Sequence, residues 1–423
     1  MAGLIAAREL FRQGIDVLVL ESAARPGGRM MAETSALGSR LDLGGQWVGH
    51  GHHRFAALAA ELGAELFPMH TPKRPAVVDG PRRVSAMNPA MLAAHTVLLA
   101  WELRAKRAAP GKWASQTVGA WLRNVPGRTT RRLLEVLVAV TTTADLDRYS
   151  MHAFAGAVRH QGGLKAMLST DGGAQEKLIV DGAGTLTDRL AAGLGERVLT
   201  GRRVTAIHHD DSGATLHTTG GALRAARVIV TVPPPMSARI AYDPPLPESR
   251  TMLERNTYMG SVYKAIAVYE HPFWRQRTGH GEFMLLAHPG GAVFDTTPPG
   301  GPGHLCILVA GTEARELDRT DAEGRRQALL GQLVPHIGAE ALAPAGWHEK
   351  SWHLDEHVGG GYAALATPGT TDGYLPMPSQ SVGALHWAGT ETAFEHAGYI
   401  EGAIQSGERA AREVIKSLRG TAT

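Results

Sequence analysis

The chain opens with apolar residues at helical spacing, Leu4, Ala7, Leu10 and Phe11, and Gly14 stands where such a helix would end. Ile15 to Leu20 is a short apolar run that stops at an acid, Glu21. This pattern predicts a helix followed by a buried strand. Strand-like runs recur in "ARVIVTVPPP", where the prolines end the run, and in "SVYKAIAVYEHPFW", which alternates. "RFAALAAELGAEL" and "AEGRRQALLGQLVPHI" carry helical periodicity, and residues 85–170 are mostly helical in pattern, in "TVGAWLRNV", "TRRLLEVLVAVTTTADL" and "MHAFAGAVRHQGG". "HPGGAVFDTTPPGGPGH" predicts hairpin turns and loops. The layout is that of an α/β sheet visited several times, with a helical second domain inserted.

Composition narrows the function classes. At roughly 150 residues per domain, 423 residues predict two or three domains. With 43 Lys and Arg against 40 Asp and Glu there is no basic stripe, which argues against nucleic acid as a partner. The sole cysteine, Cys306, lies in the apolar run "HLCILVAG", so it reads as a buried core thiol suited to a reducing cytoplasm. "AMLAAHTVLLAW" at 90–101 is too short to span a bilayer and contains His95 and Thr96, so a soluble chain is expected. The "HGHH" cluster at 50–53 has no carboxylate or thiolate beside it, and no metal site is expected there.

Four glycine-bearing stretches carry candidate chemistry. The opening helix, strand and Glu21 fit the second half of a dinucleotide-binding unit, in which a carboxylate takes a ribose hydroxyl and a helix N-terminus faces a pyrophosphate. Of that unit's glycines only Gly3 remains, in the place of the third. "RPGGRM" at 25–30 offers Gly28 for close backbone approach to phosphate and Arg29 as a fixed charge; the alternative is a glycine turn with a surface arginine. "RLDLGGQWVG" at 40–49 repeats the arrangement with Gly44 and Gly45, or forms a β-bulge. Near the other end, "HWAGTETAFEHAGYIEGAIQSGERAAREV" at 386–414 predicts a strand end, a Gly-Thr-Glu turn and a long helix beginning near Tyr399. Gly402, Ala403, Ser406, Gly407 and Ala410 give that helix a thin face for close packing.

With "LVLESAARPGGRM", "LDLGGQWVG", "DGGAQEKLIVDGAGTLTDRL", "VTVPPP", "PPLP", "GSVYKAIAVYEHPFWR", "GGGYAA" and "AGTETAFEHAGYIEGAIQSGERAAREV" in this order, the chain resembles the flavin-dependent amine oxidases of the monoamine oxidase family from residue 1 to about 416. The resemblance implies a Rossmann-like α/β FAD-binding domain of residues 1–66, 179–253 and 355–423, interleaved with an α+β substrate-binding domain of 67–178 and 254–354. It implies that Glu21 binds the adenosine ribose and that Val204 holds the adenine through its backbone. Gly3, Gly28 and Arg29, the loop of Gly44, Gly45 and Gln46, the turn of Gly389, Thr390 and Glu391, and Tyr399 would contact the diphosphate and flavin, with Trp352 as a further wall. Lys264 matches a lysine that holds a water at flavin N5. Tyr362 and Tyr399 match two aromatics that flank the amine, their ring faces forming a slot with a negative quadrupole beside the nitrogen. Gln175 matches a polar residue of the substrate cavity, and Met167 and Leu168 lie near its entrance gate.

The activity so implied is oxidation of a primary amine to an imine and then an aldehyde, releasing ammonia, with dioxygen as acceptor and hydrogen peroxide as product. Diamine or polyamine oxidation is an alternative, with Glu395 and His396 close to the slot in sequence. Amino acids are disfavoured, because "GGQWVG" lacks the arginine that clamps a carboxylate. An inactive binding protein of the same fold is the alternative of another class. Gly361 stands where animal members carry the cysteine that attaches flavin, so FAD is expected to bind noncovalently. The chain as written ends seven residues after Lys416, so the C-terminal membrane anchor of the animal members is not expected. The strand and Gly-x-Gly that family members carry before the "MAGL" position are absent, so Met1 reads as a misassigned start; a true truncation that binds FAD poorly is the alternative. A homodimer is left open.

Overall fold

Leu4, Ile5, Ala7 and Leu10 lie on one side of the Ala2–Arg12 helix and are buried, as the periodicity predicts. Each of the larger side chains contributes roughly 1.5–3 kcal/mol on burial. Phe11 departs from the expected face: it is exposed and covered by the Arg197 guanidinium, 4.4 Å from its ring centroid. The computed structural model describes residues 1–423 apart from Lys73, 108–110, 371–376 and 421–423. The Ile400–Gly420 helix packs along the first helix. Gly407 permits the contact, since a Cβ there would lie 2.5 Å from the Ala2 carbonyl oxygen.

Two short parallel pairs lie against the first helix: Val19–Leu20 with Val198–Leu199, and Val228–Val230 with Leu385–Trp387. They are not bonded to each other, and residues of both line one cavity. The predicted buried strand of Ile15 to Leu20 is therefore realised only at Val19–Leu20, and Leu18 is 50% exposed. Ile15 to Leu20 line the smaller cavity, and only Val19–Leu20 finds a partner strand, which is why the apolar run overstates the element. A four-stranded sheet, in the order Gly221–Ala225, Ala214–Thr218, Val204–His209, Ala241–Asp243, lies beside them.

The largest sheet has seven strands, ordered Gly346–Ser351, Val262–Tyr269, Gly303–Ala310, Gly291–Asp295, Phe283–Leu285, Ala76–Asp79, Arg82–Arg83. Its two faces follow the period of two. Ile266, Cys306, Leu308, Ala292 and Met284 face a core shared with the helices Pro89–Ala105, Arg128–Thr142 and Met151–His160. Tyr263, Ala265, Ile307 and Phe283 face the helices Thr312–Leu317 and Ala322–Gly331. Both faces are covered, so Val262–Tyr269 is buried at every position although its sequence alternates. Gly291–Asp295 is a strand where turn chemistry predicts only loops. Pairing on both sides, with Phe283–Leu285 and with Gly303–Ala310, outweighs the local glycine signal.

Candidate active site

Two cavities share a wall. The larger, about 870 Å³, is lined by Gln46, Trp47, Met167, Leu168 and Gln175 among others; the smaller, about 730 Å³, runs past Gly3, Glu21, Gly28, Arg29, Val204 and the Gly389–Thr390 turn. Tyr362, Gly398 and Tyr399 border both. Residues as far apart in sequence as Gly3 and Tyr399 are thereby brought to one partition between a mostly apolar chamber and a glycine-lined groove.

Each tyrosine is held from behind. Thr143 donates its hydroxyl to the Gly361 carbonyl and accepts the Tyr362 amide at 2.9 Å. Thr143 is a fully buried β-branched residue at φ 62, a left-handed conformation that favours glycine and costs roughly 1–2 kcal/mol. Nothing in "VAVTTTADL" signals this position. The Tyr399 ring lies 5.2 Å from that of His52, and its hydroxyl lies 3.4 Å from Gln161 Oε1. His52 is the member of the "HGHH" cluster that turns inward. It accepts the Gly49 amide at 2.9 Å, and burial pushes its pKa down to about 3, so it packs as a neutral ring. Among the described residues no group of three or more His, Cys, Asp or Glu is placed to hold a metal ion.

Lys264, on Val262–Tyr269, stands behind the wall of the larger cavity, against the lining residue Gln46. It is 3% exposed and donates to the Gly44 carbonyl at 2.9 Å and to Gln46 Oε1, with the Trp47 ring centroid 5.6 Å away. Burial pushes its pKa down, opposed by Cys306 and Asp42. Gly44, Gly45, Lys264, Trp352 and Glu391 stand immediately behind the lining. The close approach that Gly44 allows is to protein: a Cβ there would lie 2.4 Å from the Arg29 carbonyl. Trp352 donates its indole N–H to the Leu43 carbonyl at 2.7 Å. Glu391 accepts from Arg29 at 2.7 and 3.1 Å and from the Ala364 amide at 3.1 Å, while Arg29 also donates to the Tyr362 carbonyl at 2.6 Å. Glu395 is exposed, accepts from Gln405 Nε2 at 3.5 Å and is not among the residues lining either cavity.

The smaller cavity fits an anionic dinucleotide-like group. Gly27 at φ 108 and Gly28 at φ 59 take conformations that suit glycine and bring bare backbone to the wall. The Ala2–Arg12 helix ends there with its first amides, and Met1 and Gly3 line the wall beside it. Glu21 takes the Ala23 amide on Oε1 at 2.8 Å and lines the cavity wall.

Comparison with known proteins gives one family. The family model described as flavin containing amine oxidoreductase matches residues 1–415. A Mycobacterium tuberculosis protein provisionally named flavin-containing monoamine oxidase AofH is 35% identical, covering 99% of this chain and 95% of its own. Amine oxidase [flavin-containing] B of Bos taurus is 31% identical over 99% of this chain and 85% of its own. Among solved structures, cyclohexylamine oxidase from Brevibacterium oxydans superposes with a TM-score of 0.94 at 29% identity, covering 99% of this chain and 97% of that one. Putrescine oxidase bound to putrescine gives 0.88 at 26% identity, over 98% and 97%.

Proposed function

As the chain belongs to the flavin containing amine oxidoreductase family, an enzyme family whose cofactor is FAD, we propose that it oxidises a primary amine to an imine, with dioxygen as acceptor. Hydrolysis of the imine then gives an aldehyde and ammonia, and dioxygen, taking the two electrons removed from the amine, becomes hydrogen peroxide. The fold is Rossmann-like α/β with an interleaved α+β region. We take the FAD-binding part as 1–66, 179–253 and 355–423, and the substrate part as 67–178 and 254–354.

The observation that carries the reading is the pair of tyrosines on the partition between the two cavities. In this reading FAD lies in the smaller cavity, held by Glu21 at the ribose, by Val204, and by the backbone at Gly3 and Gly28 near the diphosphate. When bound, FAD supplies the two-electron acceptor for the amine's α-carbon hydrogen. Tyr362 and Tyr399 orient the amine, their ring faces favouring the partial positive charge that grows on nitrogen. The apolar walls of the larger cavity disfavour the ammonium form and so deliver the neutral amine. Lys264, held by two neutral oxygens, is placed to hold or pass a proton at its Nζ. Arg29 is already paired with Glu391 and serves to fix the Tyr362 backbone. Among the described residues no helix is long and apolar enough to cross a membrane, and we place the enzyme in a reducing cytoplasm.

The test is the purified yellow protein with tyramine, phenethylamine, benzylamine, putrescine and spermidine. Anaerobic bleaching of the flavin by at least one amine, with equimolar peroxide released in air, is expected. No bleaching by any amine would remove the amine-oxidising assignment. Bleaching without peroxide would replace dioxygen by another acceptor.

A further inference from the structure

Glu282 is a buried acid inside the larger cavity that the reaction above leaves unused. Six carboxylates are buried among the described residues. Asp42 accepts two backbone amides, and Glu254, Asp295, Glu391 and Glu401 each face an arginine. Glu282 differs. At 2% exposure it has only the Thr71 hydroxyl at 2.8 Å on Oε2 and the Thr170 hydroxyl at 3.5 Å from Oε1, with no ion pair among the described residues. A buried carboxyl with hydroxyl partners alone is a costly arrangement unless a cation visits it.

Strand register locates it relative to Lys264. Lys264 lies opposite Leu308, Leu308 opposite Ala292, and Ala292 opposite Met284, so these four side chains share a face. Three inter-strand steps of about 4.8 Å make roughly 14 Å. Glu282 precedes Met284 by two residues, on the same face and about 7 Å further along the strand. It therefore sits roughly 16 Å from Lys264 between Cα atoms, at the far end of a floor paved by Leu308, Ala292 and Met284.

We propose that Glu282 is a specificity-determining residue that receives the distal ammonium of a long α,ω-diamine, while the first amine is oxidised between Tyr362 and Tyr399. This rests on the amine-oxidising function proposed above. Lys264 donates to Gly44, the Gly45 amide to Arg29, and Arg29 to the Tyr362 carbonyl, which ties the tyrosine slot to the Lys264 end of this floor. A slot-to-Glu282 span on the order of 10 Å suits a diamine of about eight carbons, about 11 Å between nitrogens at roughly 1.25 Å per bond. Putrescine, at about 6 Å on the same count, is too short to engage both ends. Burial, reinforced by Asp295, pushes the Glu282 pKa up to about 7, against the two threonine hydroxyls. Of the other groups nearby, Asp295 is tied to Arg275, burial pushes His280 below its usual value, and Arg74, Lys165 and Asp171 line the cavity at exposed positions. Ionisation of Glu282 is thus the change expected around neutrality.

The test compares 1,8-diaminooctane with octylamine on the FAD-loaded enzyme, read as the ratio of their kcat/KM values. Glu282→Gln is expected to lower this ratio at least tenfold, chiefly through the diamine KM, and Glu282→Asp to restore part of it. In the parent enzyme the ratio should rise between pH 6 and 8, because the reacting amines have similar basicity and only the diamine needs the carboxylate. A ratio within twofold of the parent in Glu282→Gln, or a parent ratio flat in pH, overturns the proposal. If the glutamine variant does not fold, the parent's pH profile decides alone. An enzyme that oxidises neither compound nor any other amine fails the underlying function; one that oxidises octylamine while the ratio ignores pH and Glu282 fails this proposal only.

Discussion

Glu391→Ala should cost about 3 kcal/mol of stability and loosen the partition between the cavities. The Glu391 side chain is 2% exposed and that of Arg29 22%, with 2.7 Å between them. Removing one partner of a buried pair costs about 3–5 kcal/mol, and the partial exposure of Arg29 lets water soften the loss, which places it at the lower end, about 3 kcal/mol. For a large domain each kcal/mol lowers the midpoint by about 2 °C, so a fall of roughly 6 °C is expected by calorimetry at fixed scan rate. Arg29→Met should cost at least as much, since it strands a carboxylate whose remaining partner is the Ala364 amide. The double variant should then fall no further than the worse single one, giving a coupling energy of about 3 kcal/mol. The pH dependence has a definite sign. Burial pushes the Glu391 pKa up, but Arg29 outweighs it and holds the group below the usual carboxylate range. Stabilisation by this group is therefore present above about pH 4.3 and is lost as pH falls through the lower folded value, so the parent and Glu391→Ala should converge in strong acid. Additive single losses, or a midpoint within 1 °C of the parent at pH 7, would refute the reasoning.

Lys264→Met should slow flavin reduction by amine and reoxidation by oxygen, each by tenfold or more, while FAD content stays at that of the parent; unchanged rates in rapid-mixing absorbance traces would remove Lys264 from the site. Tyr362→Leu and Tyr399→Leu should each lower kcat/KM for amines about tenfold with the protein still folded and yellow, and parental turnover in both would dissolve the slot. FAD is held without a covalent bond, Gly361 offering no thiol, so acid precipitation should leave all yellow colour in the supernatant; colour in the pellet would contradict this. Thr143→Val should keep the left-handed strain and lose both hydroxyl contacts, lowering the midpoint and weakening amine turnover more than FAD binding, as measured by calorimetry and steady-state rates.

The order of motifs along the chain was enough to identify the family, the cofactor and the oxidoreductase class, because backbone approach and helix termini leave local marks: glycines in "RPGGRM" and "LGGQW", an acid after an apolar run, small residues on the last helix. Helical periodicity likewise marked Arg128–Thr142 and Met151–His160 in the block between 85 and 170, since a helix buries one stripe whichever neighbour it meets. Strand burial was not legible in the same way. Ile15 to Leu20 and Gly291–Asp295 have apolar and glycine signals that point the wrong way, because a strand's environment depends on partners supplied from elsewhere in the chain. Only the tertiary structure showed that Arg29 is paired with Glu391, that Thr143 buttresses Tyr362, and that His52 backs Tyr399. It alone placed Glu282 on the Lys264 face of the sheet, three strands away, since register across strands is a long-range property that one sequence does not carry.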